Sequence, residues 1–144
     1  MDWQKNLLKS DEKIRDLLKN TKRIAVIGIK MESYQPAYYV PDYMQCAGFE
    51  IVPVPIYYPD VSEILGEKVY RRLSDIPGEI DLVNVFRRSG DVAKHTDDIL
   101  AKKPKAVWMQ SGIYNDEVAE TLAREGIKVV QNLCLMVKHR ALGR

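Results

Sequence analysis

Residues 21–48 read TKRIAVIGIKMESYQPAYYVPDYMQCAG, and this stretch decides the fold. An apolar run, Ile24-Ala25-Val26-Ile27, stops at Gly28, and a loop then leads into a helical pattern ending near Gly48. An unbroken apolar run suits a parallel strand buried on both faces. Strand, tight turn and crossover helix in that order open the nucleotide-binding α/β domains. Backbone amides at such a turn, with the open N–H groups of a helix start, favour a phosphate. The strand is expected over 23–27. Pro41 lacks an N–H and fits best in a first turn, which puts the helix start near 38–40 and leaves 28–37 as a long loop. Gly48 is a natural C-terminal stop.

The same alternation runs to the end of the chain. FEIVPV (49–54) reads as a second strand, which Pro53 and Pro55 bias toward a sheet edge. A turn at 62–66, a short strand at 69–70 and a one-turn helix at 73–77 follow. DLVNVF (81–86) is a buried strand, and a helix over about 91–102 turns Val92, Ile99 and Leu100 inward. AVWM (106–109) is the next strand. Asn115 caps a helix with Asp116 and Glu117 in its first turn, and Gly126 ends it. Residues 127–130 form the last strand, before a final segment at 135–142. Upstream, residues 2–20 read as helical, with Trp3, Leu7, Leu8, Ile14, Leu17 and Leu18 on one stripe and Ser10 able to cap a second short helix. The expected fold is α/β: a three-layer, Rossmann-like, doubly wound, mostly parallel sheet, in one domain over 1–144 with residues 1–20 packed on it. A ligand should then meet loops 28–38, 55–58, 86–90, 110–113 and 132–134, beyond the strand C-termini.

Composition narrows the function. The chain has 144 residues, 46% of them hydrophobic, which suits a single core. Its 22 basic and 20 acidic residues leave a formal charge of +2, no signature of a nucleic-acid partner. No apolar run approaches the roughly 20 residues that span a bilayer. Asp2, Gln4 and Lys5 stand where a signal peptide would be apolar, so a cytoplasmic location without membrane association is expected. Cys46 and Cys134 have neither metal-ligand nor redox-motif spacing and are expected as reduced thiols, Cys46 in the core or half-buried.

The first loop is not a dinucleotide fingerprint, because Lys30 and Ser33 hold the later glycine positions of G-x-G-x-x-G. A diphosphate can still meet the helix start, with Lys30 adding charge; an ordinary connection is the alternative. A ribose-binding acid is also missing after the second strand, where Val54-Pro55-Ile56-Tyr57-Tyr58 precedes Asp60. That weighs against NAD. The tyrosines either flank an adenine or pack locally. Arg87 and Arg88 follow a strand C-terminus, where guanidinium groups contact phosphate or carboxylate; the alternative is a solvated pair neutralised by Asp91 and Asp97. Catalytic candidates are thin. His95 and His139 read as surface residues, Ser111 lacks a G-x-S-x-G elbow, and Cys134 is either a reactive thiol or a small buried apolar group.

Taken together, AVIG (25–28), PAYYV (36–40), LGEKVY (65–70), VFRR (85–88), WMQSGI (108–113) and NLCLMV (132–137) make the chain resemble the small single-domain CoA-binding proteins, over about 21–140. Their fold is similar to the CoA-binding domain of the succinyl-CoA synthetase α subunit. The resemblance implies coenzyme A as cofactor. It gives the phosphates to Gly28, Ile29, Lys30, Met31 and Ser33, and to the helix start at Tyr38. It puts Pro53, Val54 and Tyr57 beside the adenine. Phe86, Arg87, Arg88, Gln110, Ser111 and Gly112 line the phosphate and pantetheine groove, with Asn132 and Cys134 near the thiol. Two positions depart from the family pattern: Gln35 precedes the loop proline where an Arg is frequent, and Val54-Pro55-Ile56 replaces Val-Asn-Pro. The larger synthetases add a phosphohistidine domain and an ATP-grasp partner, and neither His95 nor His139 matches that histidine. The expectation is therefore a binder of CoA or acyl-CoA without catalysis, acting as carrier, sensor or regulatory module, with no metal. A homodimer or an acyl-CoA synthetase-type partner is left open. The rivals are an NAD(P)-dependent oxidoreductase on the same fold and a detached subunit of an ADP- or GDP-forming acyl-CoA synthetase.

Overall fold

The computed structural model describes residues 2–143; Met1 and Arg144, the ends of the expected domain, lie outside them. Five parallel strands form one sheet: β1 (Arg23–Ile27), β2 (Glu50–Val54), β5 (Leu82–Val85), β6 (Ala106–Met109) and β7 (Lys128–Val130), in the order β2-β1-β5-β6-β7. A separate two-stranded ladder pairs β3 (Glu63–Ile64) with β4 (Glu67–Lys68). Helices α1 (Asp11–Lys19), α2 (Pro36–Cys46) and α5 (Leu135–Leu142) contribute to the core on one face. Helices α3 (Thr96–Lys102) and α4 (Asp116–Arg124) contribute to it on the other. This is the expected three-layer, doubly wound α/β fold.

Alternation along the strands divides the core. In β1, Ile24 and Val26 join Leu18, Val40, Met44 and Trp108 on the first face, while Ala25 and Ile27 join Val85, Ile99, Met109 and Leu122 on the second. Pro53 lies in β2, at the sheet edge, where its missing N–H costs no ladder bond.

Several boundaries differ from expectation. The N-terminal segment is not one helix: a 3-10 helix (Trp3–Asn6) gives way to extended Leu7, which bridges Val129 in parallel, and Leu8 N–H donates to the Val129 carbonyl (2.9 Å). Ser10 then caps α1 through the Lys13 N–H (3.3 Å). Helix α2 starts at Pro36 rather than near 38–40, because Pro36 takes the first-turn position expected for Pro41. The short strand expected at 69–70 lies earlier, as β4, while Tyr70 N–H donates to the Pro53 carbonyl (3.0 Å). The helix expected over 91–102 is a 3-10 helix (Ser89–His95) followed by α3. Cys46 is exposed, contrary to expectation, on the solvent side of α2.

Candidate functional site

From β1 the chain passes through α2 to β2 on one side, then returns by a long connection to β5 on the other. The strand order therefore reverses between β1 and β5, the position at which open α/β sheets hold ligands. Here the strand ends are drawn together. Gly28 N–H donates to the Val54 carbonyl and Phe86 N–H to the Ile27 carbonyl, both at 2.9 Å. A Cβ on Gly28 would lie 2.2 Å from the Phe86 carbonyl oxygen. The glycine serves strand-to-strand approach, and the first loop and the Phe86–Arg88 segment leave the sheet side by side.

The internal Pro41 of α2 shapes the first loop. Lacking an N–H, it cannot bond the Ala37 carbonyl four residues back, and Lys30 N–H takes that carbonyl instead (3.1 Å). Met31 N–H donates to the Tyr58 hydroxyl (3.2 Å), which itself donates to Glu32 Oε1 (2.7 Å). Burial raises the Tyr58 pKa, the Met31 amide opposes this and Glu32 adds to it, so the phenol stays protonated. The Arg71 guanidinium binds the carbonyls of Tyr57 (3.0 Å), Tyr58 (2.6 Å) and Val61 (2.9 Å), fixing the β2 exit. The amides of Gly28, Lys30 and Met31 are thus committed internally. Ile29 is buried, Met31 and Ser33 are exposed, Lys30 and Tyr38 are half-buried, and Tyr57 is 59% exposed. Pro53 and Val54 are buried within β2, with only the end of that strand near the loop.

Beyond β5, Arg87 Nε donates to His95 Nε2 (3.1 Å), and Asp91 pairs with Lys94 (2.9 Å) rather than with either arginine. Asp97 makes no ion pair with them either. Lys30, Arg87 and Arg88 form no ion pair among the described residues. Both histidines depart from the expected surface role. His95 is half-buried, and burial, reinforced by the Arg87 charge, lowers its pKa. His139 Nδ1 bonds the Tyr43 hydroxyl (2.8 Å), with its ring edge-on to Tyr43 and Phe49.

At the end of β6, Gln110 is buried, and its Oε1 accepts from Asn84 Nδ2 and from Leu135 N–H, each at 3.3 Å. It therefore holds the start of α5. Gly112 N–H donates to Asn132 Oδ1 (2.6 Å), and Asn132 N–H to the Ile113 carbonyl (3.0 Å), with Asn132 in a left-handed conformation (φ 59°). Ser89 Oγ accepts from Tyr114 N–H (3.1 Å), tying the Arg87–Arg88 segment to this second pair of loops. Ser111 and Gly112 are exposed, and Cys134 is half-buried at the N-cap of α5. Asn84, not among the residues expected at the site, is buried in β5, and its Oδ1 has no hydrogen-bond partner among the described residues. Its polarity inside the run Val83-Asn84-Val85 was the available signal.

The sequence-singled residues thus fall in one row along the C-terminal sheet edge, with five strands placing the row across about 19 Å. A cavity of about 610 Å³ beside Lys5, Glu12, Arg15 and Lys128 lies away from these loops, where β7 begins. The family model described as CoA binding domain matches residues 22–140. The chain belongs to the CoA binding domain family. Bacillus subtilis (strain 168) YneT is 37% identical over 130 residues, covering 90% of this chain and 94% of its own. A solved Thermus thermophilus protein, cell-free ID.343, shares the family's fold at 36% identity and TM-score 0.86, over 93% of this chain and 99% of that one. The dinucleotide forming acetyl-coenzyme A synthetase 1 of Ca. Korarchaeum cryptofilum matches in fold alone, with 24% identity and TM-score 0.63 over 80% of this chain and 27% of its own. None of the helices in the described residues is long and apolar enough to cross a membrane.

Proposed function

We propose that the chain binds coenzyme A or an acyl-CoA non-covalently across the C-terminal edge of its sheet, without catalysis of its own, as a carrier, sensor or regulatory module. The observation that carries this reading is three cations that form no ion pair among the described residues, Lys30, Arg87 and Arg88, at the reversal of strand order in a member of the CoA binding domain family. An anionic diphosphate compensates such charges. Because the amides of Gly28, Lys30 and Met31 are occupied, and the Tyr38 and Tyr39 amides at the α2 start bond the Gln35 carbonyl, these side chains, with Ser33 and the Ile29 and Ala37 amides, take the phosphates. The row of loops suits a long ligand, with Tyr57 toward the adenine and Ser111, Asn132 and Cys134 toward the thiol. His95 and His139 are each engaged by a neighbouring side chain, which fits binding without acid–base chemistry.

Micromolar CoA is expected to raise the melting temperature by about 5–10 °C once it exceeds the dissociation constant a hundredfold. No shift at millimolar CoA, with NADH or NADPH stabilising instead, would replace this reading by the oxidoreductase one. The synthetase-like fold of the Korarchaeum protein favours, as second reading, docking to an ATP-grasp partner. Recovery of such a protein with the native chain would support it.

The thiol end has its own test. CoA disulfide is expected to exchange with the Cys134 thiolate, giving a protein–CoA mixed disulfide and releasing one CoA thiolate. Intact mass should show a CoA adduct that Cys134→Ser abolishes. Labelling confined to Cys46, the more exposed thiol, would refute the placement.

A further inference from the structure

We infer that His95, as a neutral imidazole, is the positioning residue that aims the Arg87 guanidinium at the anionic part of the ligand. The inference rests on the CoA reading above and concerns the same site. Arg87 Nε can donate to His95 Nε2 at 3.1 Å only while that nitrogen is unprotonated, so the ring carries its proton on Nδ1. With Nε held, the plane of the guanidinium is fixed. Only its Nη1–Nη2 edge remains for two oxygens of a phosphate, and neither nitrogen meets an acceptor among the described residues. Fixing a long side chain in advance removes ordering entropy that binding would otherwise oppose.

The surroundings keep the ring neutral. Burial and the Arg87 charge disfavour the imidazolium, Lys94 acts in the same sense, and Asp98 and Asp91 oppose them. Both carboxylates are already engaged: Asp98 accepts from the Leu73 and Ser74 amides (2.7 and 3.1 Å) and the Ser74 hydroxyl (2.9 Å), while Asp91 pairs with Lys94. His95 lies at the end of the 3-10 helix, directly before α3, so ring and guanidinium are held by the turn that leaves β5. Protonation would remove the acceptor and set two cations against each other.

The sign of the pH effect separates positioning from direct contact. If His95 touched the phosphates itself, acid would strengthen binding; if it orients Arg87 as a neutral acceptor, acid weakens binding. CoA affinity is measured from pH 8 to 5 for the native chain, His95→Gln and His95→Leu, with melting curves confirming folding. Gln offers an acceptor oxygen that cannot protonate, so His95→Gln should bind like the native chain at pH 8 and serve as reference for titration of CoA itself. His95→Leu should bind about five- to tenfold more weakly at pH 8. Relative to His95→Gln, the native chain should lose affinity as acid protonates His95. Unchanged affinity in His95→Leu, or native affinity rising against His95→Gln in acid, would overturn the inference and leave CoA binding intact. Absence of CoA binding by the native chain at pH 8 would overturn both.

Discussion

Gly28→Ala is expected to lower the stability of the unliganded protein by about 3 kcal/mol or more, a fall in melting temperature on the order of 10 °C. Two costs coincide there. The residue has φ 83°, where an L side chain is strained by about 1 kcal/mol. The added Cβ would also lie 2.2 Å from the Phe86 carbonyl oxygen and 3.1 Å from its carbon. Those atoms are backbone, so no rotamer change relieves the overlap. Phe86 is held by its N–H bond to Ile27, and Gly28 by its own to Val54. Relief requires the ends of β1 and β5 to separate, which opens the sheet at the ligand crevice. Gly112→Ala is the matched control, with nearly the same φ of 84° and nothing within 4 Å of its Cβ. Thermal or urea unfolding of both variants isolates the contact. Equal losses would show that the close approach of the two strands carries no energetic weight.

The layers of the fold were legible because each of the five strands of the parallel sheet announced itself. IAVI, LVNV and AVWM are short apolar runs between turn residues, and their alternation with capped helices leaves a parallel sheet as the consistent solution. What misled was competition between local signals. Two prolines, Pro36 and Pro41, competed for one first-turn position; the interior one is tolerated only because Lys30, outside the helix, supplies the missing donor to Ala37. No helix-internal pattern reveals that. The extended Leu7 likewise looked helical, since its apolar side chain fits a 3.6-residue stripe as well as the edge of a sheet, and only Val129 distinguishes the two.

The candidate site was legible as a set of loops and less so as a set of roles. For Arg87 and Arg88 the sequence left open contact with phosphate or carboxylate and neutralisation by Asp91 and Asp97, whereas Asp91 takes Lys94 and Arg87 takes His95. Gln110 was expected as groove lining, and its buried side chain links β5, β6 and the start of α5, a role the sequence did not indicate. Tyr58, hardly distinguishable from Tyr57 in sequence, turns back through a left-handed backbone conformation to hold the first loop, leaving Tyr57 exposed. Such assignments depend on which neighbour the fold delivers, and a linear pattern does not carry that.

Arg87→Gln is expected to weaken CoA binding about ten- to a hundredfold, corresponding to the loss of one charged hydrogen-bonding contact worth about 1.5–3 kcal/mol. The size follows from position. Arg87 is half-buried and already oriented by His95, so little of its interaction is screened by solvent. Arg88, adjacent but exposed, should matter less, with Arg88→Gln costing about two- to fivefold and the difference shrinking as salt is raised. Arg87→Lys keeps the charge without the planar fork and should fall between the native chain and Arg87→Gln. Lys94→Gln removes a nearby positive charge that is exposed and paired with Asp91, and should leave affinity within about twofold. Calorimetric titration of the four variants at two salt concentrations ranks them. If Arg87→Gln binds no worse than Lys94→Gln, the crevice between β1 and β5 is not where the phosphates sit, because a free, pre-oriented guanidinium beside a bound diphosphate cannot be removed without consequence.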